Sequence, residues 1–444
     1  MKRIMLILSL CAAMLSELPA QPLSLQDCRR MALEHNERMQ MADNAVRKAE
    51  LDRQIAFAQY LPKADGQLTG IYMKDQERLG VALQTRGAYM AGLNITLPLY
   101  TGGQITAANK LSKIGKTISE EQRRQAWAEI ISGVDNAYYQ LVAVRSKVEL
   151  LEAYVRQMQG LYDQVKLSVT AQMATDADLL RISSKQSEVS YHLQKARNGE
   201  ELCRLALANA MGSDLTTTIV PTDTFTYAAL LSQPLTEDLA ERPEFQLLQQ
   251  QVKACEQQVK MARSNYLPSV ALTGGYSYMG NMKLKGELTV SDEYQTITKG
   301  LGLGNTFPID EKLDGGGTMA MLSVSVPLFH WGAELKKVKK AKLDAENARL
   351  ELQQNKRMMH IEVRQAVQNL TSSQLMLETA IIGQQQAEEN LRVMRQKYNA
   401  QMATMTDLLD AQSQWQQARS NLIESQTQQK IYETEYLRVT GRLE

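Results

Sequence analysis

The decapeptide AQMATDADLL at residues 171–180 returns as AQMATMTDLL at residues 400–409. Eight of the ten positions are identical. Each copy follows a long helical pattern and precedes another, so each predicts a tight turn between two helices. The same turn at the same point of two halves indicates a tandem duplication of a long helical hairpin. We call the displacement that carries Ala171 onto Ala400 the repeat offset.

Long heptad patterns lie on both sides of each turn. From about residue 104 to residue 169 there is no proline, and apolar residues recur at steps of three and four, as at Val134, Ala137 and Leu141. This seam is typical of a coiled coil, and about 66 residues of helix would be ~100 Å long. The seam returns in the second half, displaced by the repeat offset. The predicted helical hairpins span 104–212 and 332–440.

Short segments with period-two alternation come before the first hairpin. The segment AGLNITL at 91–97 alternates apolar and polar residues, which predicts a half-exposed strand. A weaker candidate lies at 66–73, and the polar residues at 75–87 between them favour a long hairpin loop. We therefore predict a strand pair at about 64–98.

The second half repeats this arrangement. The segments VALTGGYSY at 270–278 and AMLSVSV at 320–326 predict a second strand pair at about 268–328, which brings the total to four strands per chain. The second pair is longer than the first because of an insert within 281–317. This insert is rich in Gly, Lys and Asp, and it is interpreted as a surface loop.

The remaining boundaries follow from composition. Residues 1–20 have two basic residues, an apolar run and a small-residue end, which is typical of a secretory signal peptide. The first repeat is predicted at 21–212 and begins with a helix at 23–58. A linker is predicted at 213–235, and the second repeat at 236–444 begins with a helix at 235–265.

Composition excludes several classes of function. The net charge is +1 and the charges are evenly mixed, so no nucleic-acid partner is indicated. Outside the signal peptide, no segment has the ~18 apolar residues of a spanning helix. Cys28, Cys203 and Cys255 are interpreted as packing residues. The four histidines lack metal-ligand spacing and no catalytic set is evident, so we expect neither an enzyme, nor a cofactor, nor a metal site.

Four strands per chain cannot close a membrane barrel, because about eight are needed. Four strands would also leave two unpaired edges, which hydrocarbon does not tolerate. Three copies of the chain resolve both problems, since they supply twelve strands and twelve long helices.

The chain resembles the TolC-like outer-membrane efflux proteins, the outer membrane factors. The resemblance rests on YLP at 60–62 and 266–268, LPL at 97–99, VPL at 326–328, and T-x-x-D-L-L in both turns. It implies a mainly α fold with a small β part. In that fold, the duplicated hairpins of three chains form an α-helical barrel that is capped by a 12-stranded β-barrel.

The resemblance also implies a function and a set of partners. The homotrimer would be the channel-tunnel of a tripartite efflux system in the outer membrane of a Gram-negative bacterium, with a long periplasmic portion. It would be a passive exit duct for drugs or other small molecules. A periplasmic adaptor, or membrane fusion protein, would connect it to an inner-membrane pump.

The resemblance further assigns a periplasmic gate to the two turns. Asp407 and Asp410 would line the narrow mouth, and Asp178 and Tyr398 would form a closing contact. Asp407 has an alternative interpretation as a residue that only caps a helix. This chain has Ala403 where the family uses an arginine. The adaptor-contacting tips would be Ala171, Gln172, Met173, Ala400, Gln401 and Met402, where Gln172 and Gln401 replace the usual glycines.

Two alternative functions stay open. The same channel could serve type I protein secretion, which the sequence does not separate from efflux. The chain could instead be a periplasmic coiled-coil adaptor or scaffold without a pore. The second alternative is disfavoured because adaptors usually carry one hairpin, whereas here each of two hairpins follows its own strand pair.

Overall fold

The computed structural model describes residues 21–72, 76–78, 81–84, 88–215, 219–223, 235, 237–289, 295–302, 306–329 and 331–443. The signal peptide predicted at 1–20 lies outside these residues. The chain divides into two compact units, and each unit draws on both repeats. The helical unit comprises the described residues up to 47 with 117–250 and 350–443; the strand-bearing unit comprises 48–116 and 251–349.

Two helices dominate each repeat, as the heptad patterns predict. The helices of the described residues are α1 (Leu25–His35), α2 (Glu37–Ala58), α3 (Gln104–Thr170), α4 (Asp176–Met211), α5 (Pro243–Ser264), α6 (Gln295–Gly300), α7 (Ala333–Asn399) and α8 (Met405–Val439). The pairs α3–α4 and α7–α8 confirm the predicted hairpins. Each of α3 and α7 has 67 residues, which corresponds to a length of about 100 Å.

The single helix predicted at 23–58 is instead two helices, α1 and α2, that follow a short strand. Leu23 belongs to strand β1 (Gln21–Leu23), and Ser24 caps α1 through a capping box with Asp27. Asn36 then separates α1 from α2 because its backbone is extended, with ψ 126°. Its side-chain amide donates to the carbonyl of Ala210 at 3.0 Å, near the end of α4. The break therefore satisfies a carbonyl that the end of α4 leaves without a helical partner.

The predicted linker also contains regular structure. Within it, β6 (Ile219–Pro221) pairs in parallel with β1. The following helix begins at Pro243 rather than at 235, because proline favours the first helical position, where its missing N–H is not needed. Residues 216–218, 224–234 and 236 lie outside the described part of the chain.

The predicted strand pairs form one antiparallel sheet. Its order is β10–β7–β5–β2, so the two pairs join through β5 and β7. The strands are β2 (Lys63–Ile71), β5 (Ala88–Thr101), β7 (Ser269–Gly280) and β10 (Gly315–Ser325). We call this sheet the membrane sheet, because one of its faces is apolar and exposed and the other is mainly polar.

Both segments predicted as loops instead contain strands, so the prediction of only four strands per chain is wrong. A second four-stranded antiparallel sheet has the order β3–β4–β8–β9. Its strands are β3 (Gln76–Arg78), β4 (Val81–Gln84), β8 (Lys283–Thr289) and β9 (Thr306–Lys312). The insert at 281–317 therefore holds β8, α6 and β9. It escaped prediction because its polar and glycine residues hide any alternation.

A buried ionic network ties the first repeat to the second within the helical unit. The carboxylate of Asp135 on α3 is 1% exposed and accepts two bonds from the Arg29 guanidinium, at 2.7 and 2.5 Å. The Thr434 hydroxyl on α8 donates to the same carboxylate at 2.9 Å. A buried charge is tolerated only with such partners, so this network fixes α1, α3 and α8 together.

Each returning helix ends on a glycine in the left-handed region. Gly212 (φ 65°) packs against the Asn36 backbone, and Gly441 (φ 72°) packs against Glu241 and Arg242. A Cβ at Gly212 would lie 2.9 Å from the Asn36 Cα, and one at Gly441 would lie 2.6 Å from the Glu241 carbonyl carbon. The duplication therefore extends to the ends of the returning helices.

Candidate functional site

The two turns have the same backbone geometry. After α3, Gln172 lies in the left-handed region (φ 61°), and after α7 Gln401 does the same (φ 59°). The N–H of Met173 donates to the Ser168 carbonyl at 2.8 Å. The equivalent bond in the second turn also measures 2.8 Å. This is the Schellman ending of a helix, in which glycine is the usual left-handed residue, so each glutamine occupies a strained position.

A capping box begins each returning helix. In the first turn, the Thr175 hydroxyl and the Asp178 Oδ2 are 2.7 Å apart, and Thr175 accepts from the Asp178 N–H. The second turn repeats this with Thr404 and Asp407, whose hydroxyl–Oδ2 distance is also 2.7 Å. The bonds from Thr404 lower the pKa of Asp407 below its usual value. Asp407 therefore caps α8, and whether it also lines a gate stays a prediction.

The two tips pack on each other through a small apolar cluster. Val165, Ile182 and Met405 are buried, and Tyr398 packs on them from the end of α7. Burial raises the pKa of Tyr398, and the negative charge of Asp178 raises it further. Asp178 and Tyr398 are thus brought close within one chain. Among the bonds of the described residues, none joins this phenol to that carboxylate.

A charge reversal distinguishes the tips. Arg181 on α4 corresponds, through the repeat offset, to Asp410 on α8. The Arg181 guanidinium donates to the Thr406 hydroxyl at 3.3 Å and lies 3.7 Å from Asp178. Of the two acids at the first tip, Asp178 therefore lies beside a base of its own helix and Asp176 is exposed. The second tip presents Asp407 and Asp410, both exposed, and has a carboxylate where the first has Arg181. Arg181 was not predicted as a site residue, although comparing positions 181 and 410 would have singled it out.

The predicted adaptor-contacting residues are all exposed at the tips. Met173 and Met402 are the large apolar members, with exposed fractions of 70% and 73%. The other members, also exposed, are Ala171, Gln172, Ala400 and Gln401. Each tip therefore presents a methionine to solvent beside a strained glutamine.

The membrane sheet has one apolar face. Residues paired directly across antiparallel strands share a face, so the register assigns the sides. Leu97 pairs with Leu272, which pairs with Leu322, and all three belong to the apolar face. The same face continues through Leu68, Ala91, Leu93, Ile95, Val270, Ala320 and Val324. Leu68, Leu93, Leu322 and Val324 are each at least 60% exposed, so nothing in the described part of the chain covers this face.

The opposite face of the membrane sheet is mainly polar. Asn94 pairs with Asp65, and Thr96 pairs with Thr273. The remaining polar members of this face are Lys63, Gln67, Thr69, Ser269, Ser277, Ser323 and Ser325. Four methionines interrupt it, at 90, 279, 319 and 321. One apolar and one polar face are typical of a strand set between lipid and water.

Aromatic residues lie at both ends of the apolar face. At the β3–β4 end, Tyr89 and Tyr278 have ring centroids 6.2 Å apart. At the other end, Tyr100 is 48% exposed and follows a register shift after Pro98. Exposed Tyr60, Tyr266 and Trp331 lie in the segments that flank the strands near that end. Aromatic residues at both limits of an apolar band are typical of membrane interfaces.

The described residues contain neither a membrane-spanning helix nor a cluster of metal-binding side chains. None of the described helices is both long enough and apolar enough to span a membrane. Within the same residues, no group of three or more His, Cys, Asp or Glu side chains could hold a metal ion.

Comparison with known proteins identifies the family. The model of the family described as outer membrane efflux protein matches residues 29–213 and 235–442. A curated relative, "Cation efflux system protein CusC" of Escherichia coli O157:H7, is 22% identical over 253 residues. That alignment covers 55% of this chain and 54% of the relative, so the chain matches about half the length of this curated protein.

Solved structures share the fold over nearly the whole chain. A CusC crystal structure has a TM-score of 0.78 at 16% identity and covers 94% of this chain and 92% of its own. The outer membrane protein VceC of Vibrio cholerae has a TM-score of 0.75 at 18% identity, with coverages of 94% and 96%. Because the family model matches well over half of the sequence, the chain belongs to the outer membrane efflux protein family.

Proposed function

We propose that three copies of this chain form the outer-membrane exit duct of a tripartite efflux system. In this proposal, twelve strands close a barrel in the outer membrane, and the helical hairpins form a periplasmic tunnel. A periplasmic adaptor couples the tunnel to an inner-membrane pump, which supplies the energy. The observation that carries the proposal is the membrane sheet, which combines an uncovered apolar face with two open edges.

The open edges require more copies. Strands β2 and β10 are the outer strands of the membrane sheet, and each pairs on one side only among the described residues. In hydrocarbon, each unpaired backbone group costs several kcal/mol. Four strands are too few to close on themselves, whereas twelve strands form a barrel of ordinary size. The strands have 9 to 14 residues, which matches the ~9–11 residues needed for a tilted membrane strand.

Charge at the second tip supports a cation-selective mouth. Asp407 and Asp410 are one helical turn apart and exposed, so three copies would present six carboxylates. The Asp407 carboxylate accepts its capping bonds through Oδ2, so capping and lining are compatible roles. The name of the curated relative includes cation efflux, which fits this interpretation.

Asp178 and Tyr398 fit a closing contact between hairpins. Tyr398 ends α7 and Asp178 begins α4, so any separation of the two tips would separate them. Arg181 reaches Thr406 across the same boundary, and Ala403 offers no side chain for such a bond. We expect Tyr398→Phe to raise the resting conductance of the pore, because the hydroxyl that would donate to Asp178 in the closed pore is then absent. An unchanged conductance would assign closure to other contacts, such as that of Arg181.

Contact with the adaptor can be separated from conduction. Arginine in place of both Met173 and Met402 would put charge on the exposed tips without touching the membrane sheet. We expect this variant to conduct in bilayers but to lose export in cells that supply the pump and adaptor. Loss of both activities would show that the tips are needed for assembly rather than for docking.

The direct test of the proposed function uses the purified chain in detergent. Native mass spectrometry should show three chains, and planar bilayers should show single-channel current steps. A matched control replaces Leu93 and Leu322 on the apolar face with Asp, which should prevent insertion into the bilayer. A monomer that produces no current would overturn the proposal and favour a scaffold without a pore.

A further inference from the structure

One buried cluster of the first hairpin has no counterpart at the matching positions of the second. Leu151, Tyr154, Met158 and Val189 form a buried cluster in the first hairpin, where Tyr154 is 1% exposed. The equivalent positions of the second repeat all hold small residues. The replacements are Ala380, Gly383, Ala387 and Ala418. Positions that hold a large core in one repeat thus hold almost no side-chain volume in the other.

A groove of about 680 Å³ lies at the small residues of the second hairpin. Ala380 and Gly383 of α7 and Ala418 of α8 line it. A Cβ built on Gly383 meets nothing within 4 Å, so the groove is open at this point. Its α7 side also carries Leu375 and Met376, with exposed fractions of 66% and 63%. The groove is therefore an uncovered apolar surface between α7 and α8.

The contact between α3 and α8 inside one chain indicates what lies against this groove. The Lys147 ammonium is 4.0 Å from the Glu424 carboxylate. Nearer the tip, Leu409 of α8 packs against the buried cluster that contains Tyr154. These two contacts place the intervening Ser420 of α8 opposite the stretch of α3 that contains Leu151. Leu151 corresponds to Ala380 in the groove.

In a closed ring of duplicated hairpins, the contact between chains repeats the contact within a chain. Through the repeat offset, α3 corresponds to α7, and α8 corresponds to α4 of the next copy. The contact between α3 and α8 within a chain therefore corresponds to a contact between α7 of one chain and α4 of the next. The counterpart of Ser420 is Tyr191, so in such a ring Tyr191 would face Ala380 of the neighbouring copy. Tyr191 is 68% exposed, so its aromatic ring is uncovered on α4. The position that it would contact on α7 lies in the groove, where no large side chain fills the space.

We propose that the groove between α7 and α8 receives the Tyr191 ring of a second copy of this chain. This proposal rests on the proposed function, because it requires the ring of three copies. Charge favours the same pairing. Lys195 lies one helical turn from Tyr191. Among the described residues that line the groove, the charged one is Glu424, which is 72% exposed and so can face Lys195 as well as Lys147. The tyrosine that the first hairpin keeps in its own core is thus replaced, in the second, by one from a neighbour.

A cross-link between differently substituted copies tests the contact. One chain carries Tyr191→Cys and the other carries Ala380→Cys, both with Cys28, Cys203 and Cys255 replaced by Ala. Mild oxidation of the co-expressed chains in membranes should give a cross-linked dimer. As the matched control, Leu202→Cys replaces Tyr191→Cys. Leu202 is 66% exposed on the same helix but about 16 Å away along its axis, so it should give little product.

A compensating pair of substitutions tests the shape of the contact. Gly383→Phe should fill the groove and lower the temperature at which the trimer dissociates, because the Tyr191 ring then has no room. Tyr191→Ala in the same chain should restore much of that temperature. A general loss of folding would not produce such a recovery, since removal of a second side chain would only weaken the fold further.

The outcomes separate this inference from the proposed function. Trimers that form without the 191–380 cross-link, and with no recovery in the double variant, would overturn the Tyr191 contact and leave the exit duct intact. Absence of trimers in the unsubstituted chain would overturn both. A cross-link from Ala380→Cys to a different protein would also overturn the inference, by assigning the groove to a partner such as the adaptor.

Discussion

The two repeats share their backbone devices and differ in their side chains. Both hairpins turn through a left-handed glutamine, begin the returning helix with a Thr–Asp capping box, and end it on a left-handed glycine. By contrast, Asp135 corresponds to Arg364, Tyr154 to Gly383, and Arg181 to Asp410. Backbone requirements have kept the duplicated features alike, whereas the faces between hairpins differ because each hairpin has different neighbours.

The largest difference between the repeats concerns Asp135 and Arg364. Asp135→Ala should destabilise the helical unit by about 3–5 kcal/mol, because it leaves Arg29 and Thr434 without their buried acceptor. Arg364→Ala should change stability by less than about 1 kcal/mol, since its contact with Glu237 is exposed. Denaturant unfolding followed by circular dichroism measures both. Similar costs for the two variants would contradict the assignment of the network to the first repeat.

The second comparison uses Tyr154 and Gly383. Tyr154→Ala should cost about 3 kcal/mol, because it leaves a cavity in a well-packed cluster. Gly383→Ala should instead stabilise the isolated chain by up to about 1 kcal/mol, since alanine favours helix and the new Cβ meets open space. Thermal unfolding of the two variants beside the unsubstituted chain checks the opposite signs. A destabilising Gly383→Ala would show that the groove is occupied within the chain.

Equivalent substitutions in the two turns should change stability by the same amount, unlike substitutions on the faces between the hairpins. Gln172→Gly and Gln401→Gly each replace a left-handed glutamine, so each should stabilise its turn by roughly 0.5–1 kcal/mol. Because the two geometries match, the two gains should be equal within error. Hydrogen exchange of the amides around 168–173 and 397–402 gives a separate value for each turn. Unequal gains would show that side-chain contacts, rather than backbone strain, dominate one tip.

The smallest expected effect is a pH dependence at the second tip. Bonds from Thr404 lower the pKa of Asp407 in the folded chain. A depressed carboxyl pKa contributes stability that is complete above the unfolded value and is lost as pH falls through the folded value, here from about pH 4 downward. Thr404→Ala should therefore reduce the loss of stability in acid. Denaturant midpoints at several acidic pH values measure this loss for Thr404→Ala and for the unsubstituted chain. An equal loss in the two proteins would contradict the prediction.

Much of the helical architecture could be predicted from the sequence, because heptad seams are long and periodic. Such repetition made the four long helices and both turns visible. The membrane sheet was also found through its period-two alternation. The second sheet was missed because short strands such as β3 and β4, at three and four residues, carry too little pattern.

The candidate site was predicted only in part. Asp178, Asp407 and Tyr398 stand out through the duplicated turns, but Arg181 lies one helical turn beyond Asp178, outside the conspicuous repeat. The Arg29–Asp135 pair joins residues 106 positions apart, and no local pattern links them. The groove at Gly383 could not be predicted from the sequence alone. Small residues on a heptad seam are equally compatible with close helix packing, so the groove became visible only when the two repeats were compared in the packed structure.

The most direct test of the account is the ion selectivity of the pore in a salt gradient across a planar bilayer. The unsubstituted chain should pass cations in preference to anions, so its reversal potential should lie toward the cation equilibrium value. Asn at both Asp407 and Asp410 should move the potential toward zero, whereas Asp176→Asn at the first tip should leave it nearly unchanged. A potential that the double variant does not move would contradict the assigned asymmetry, and absence of any current would contradict the pore itself.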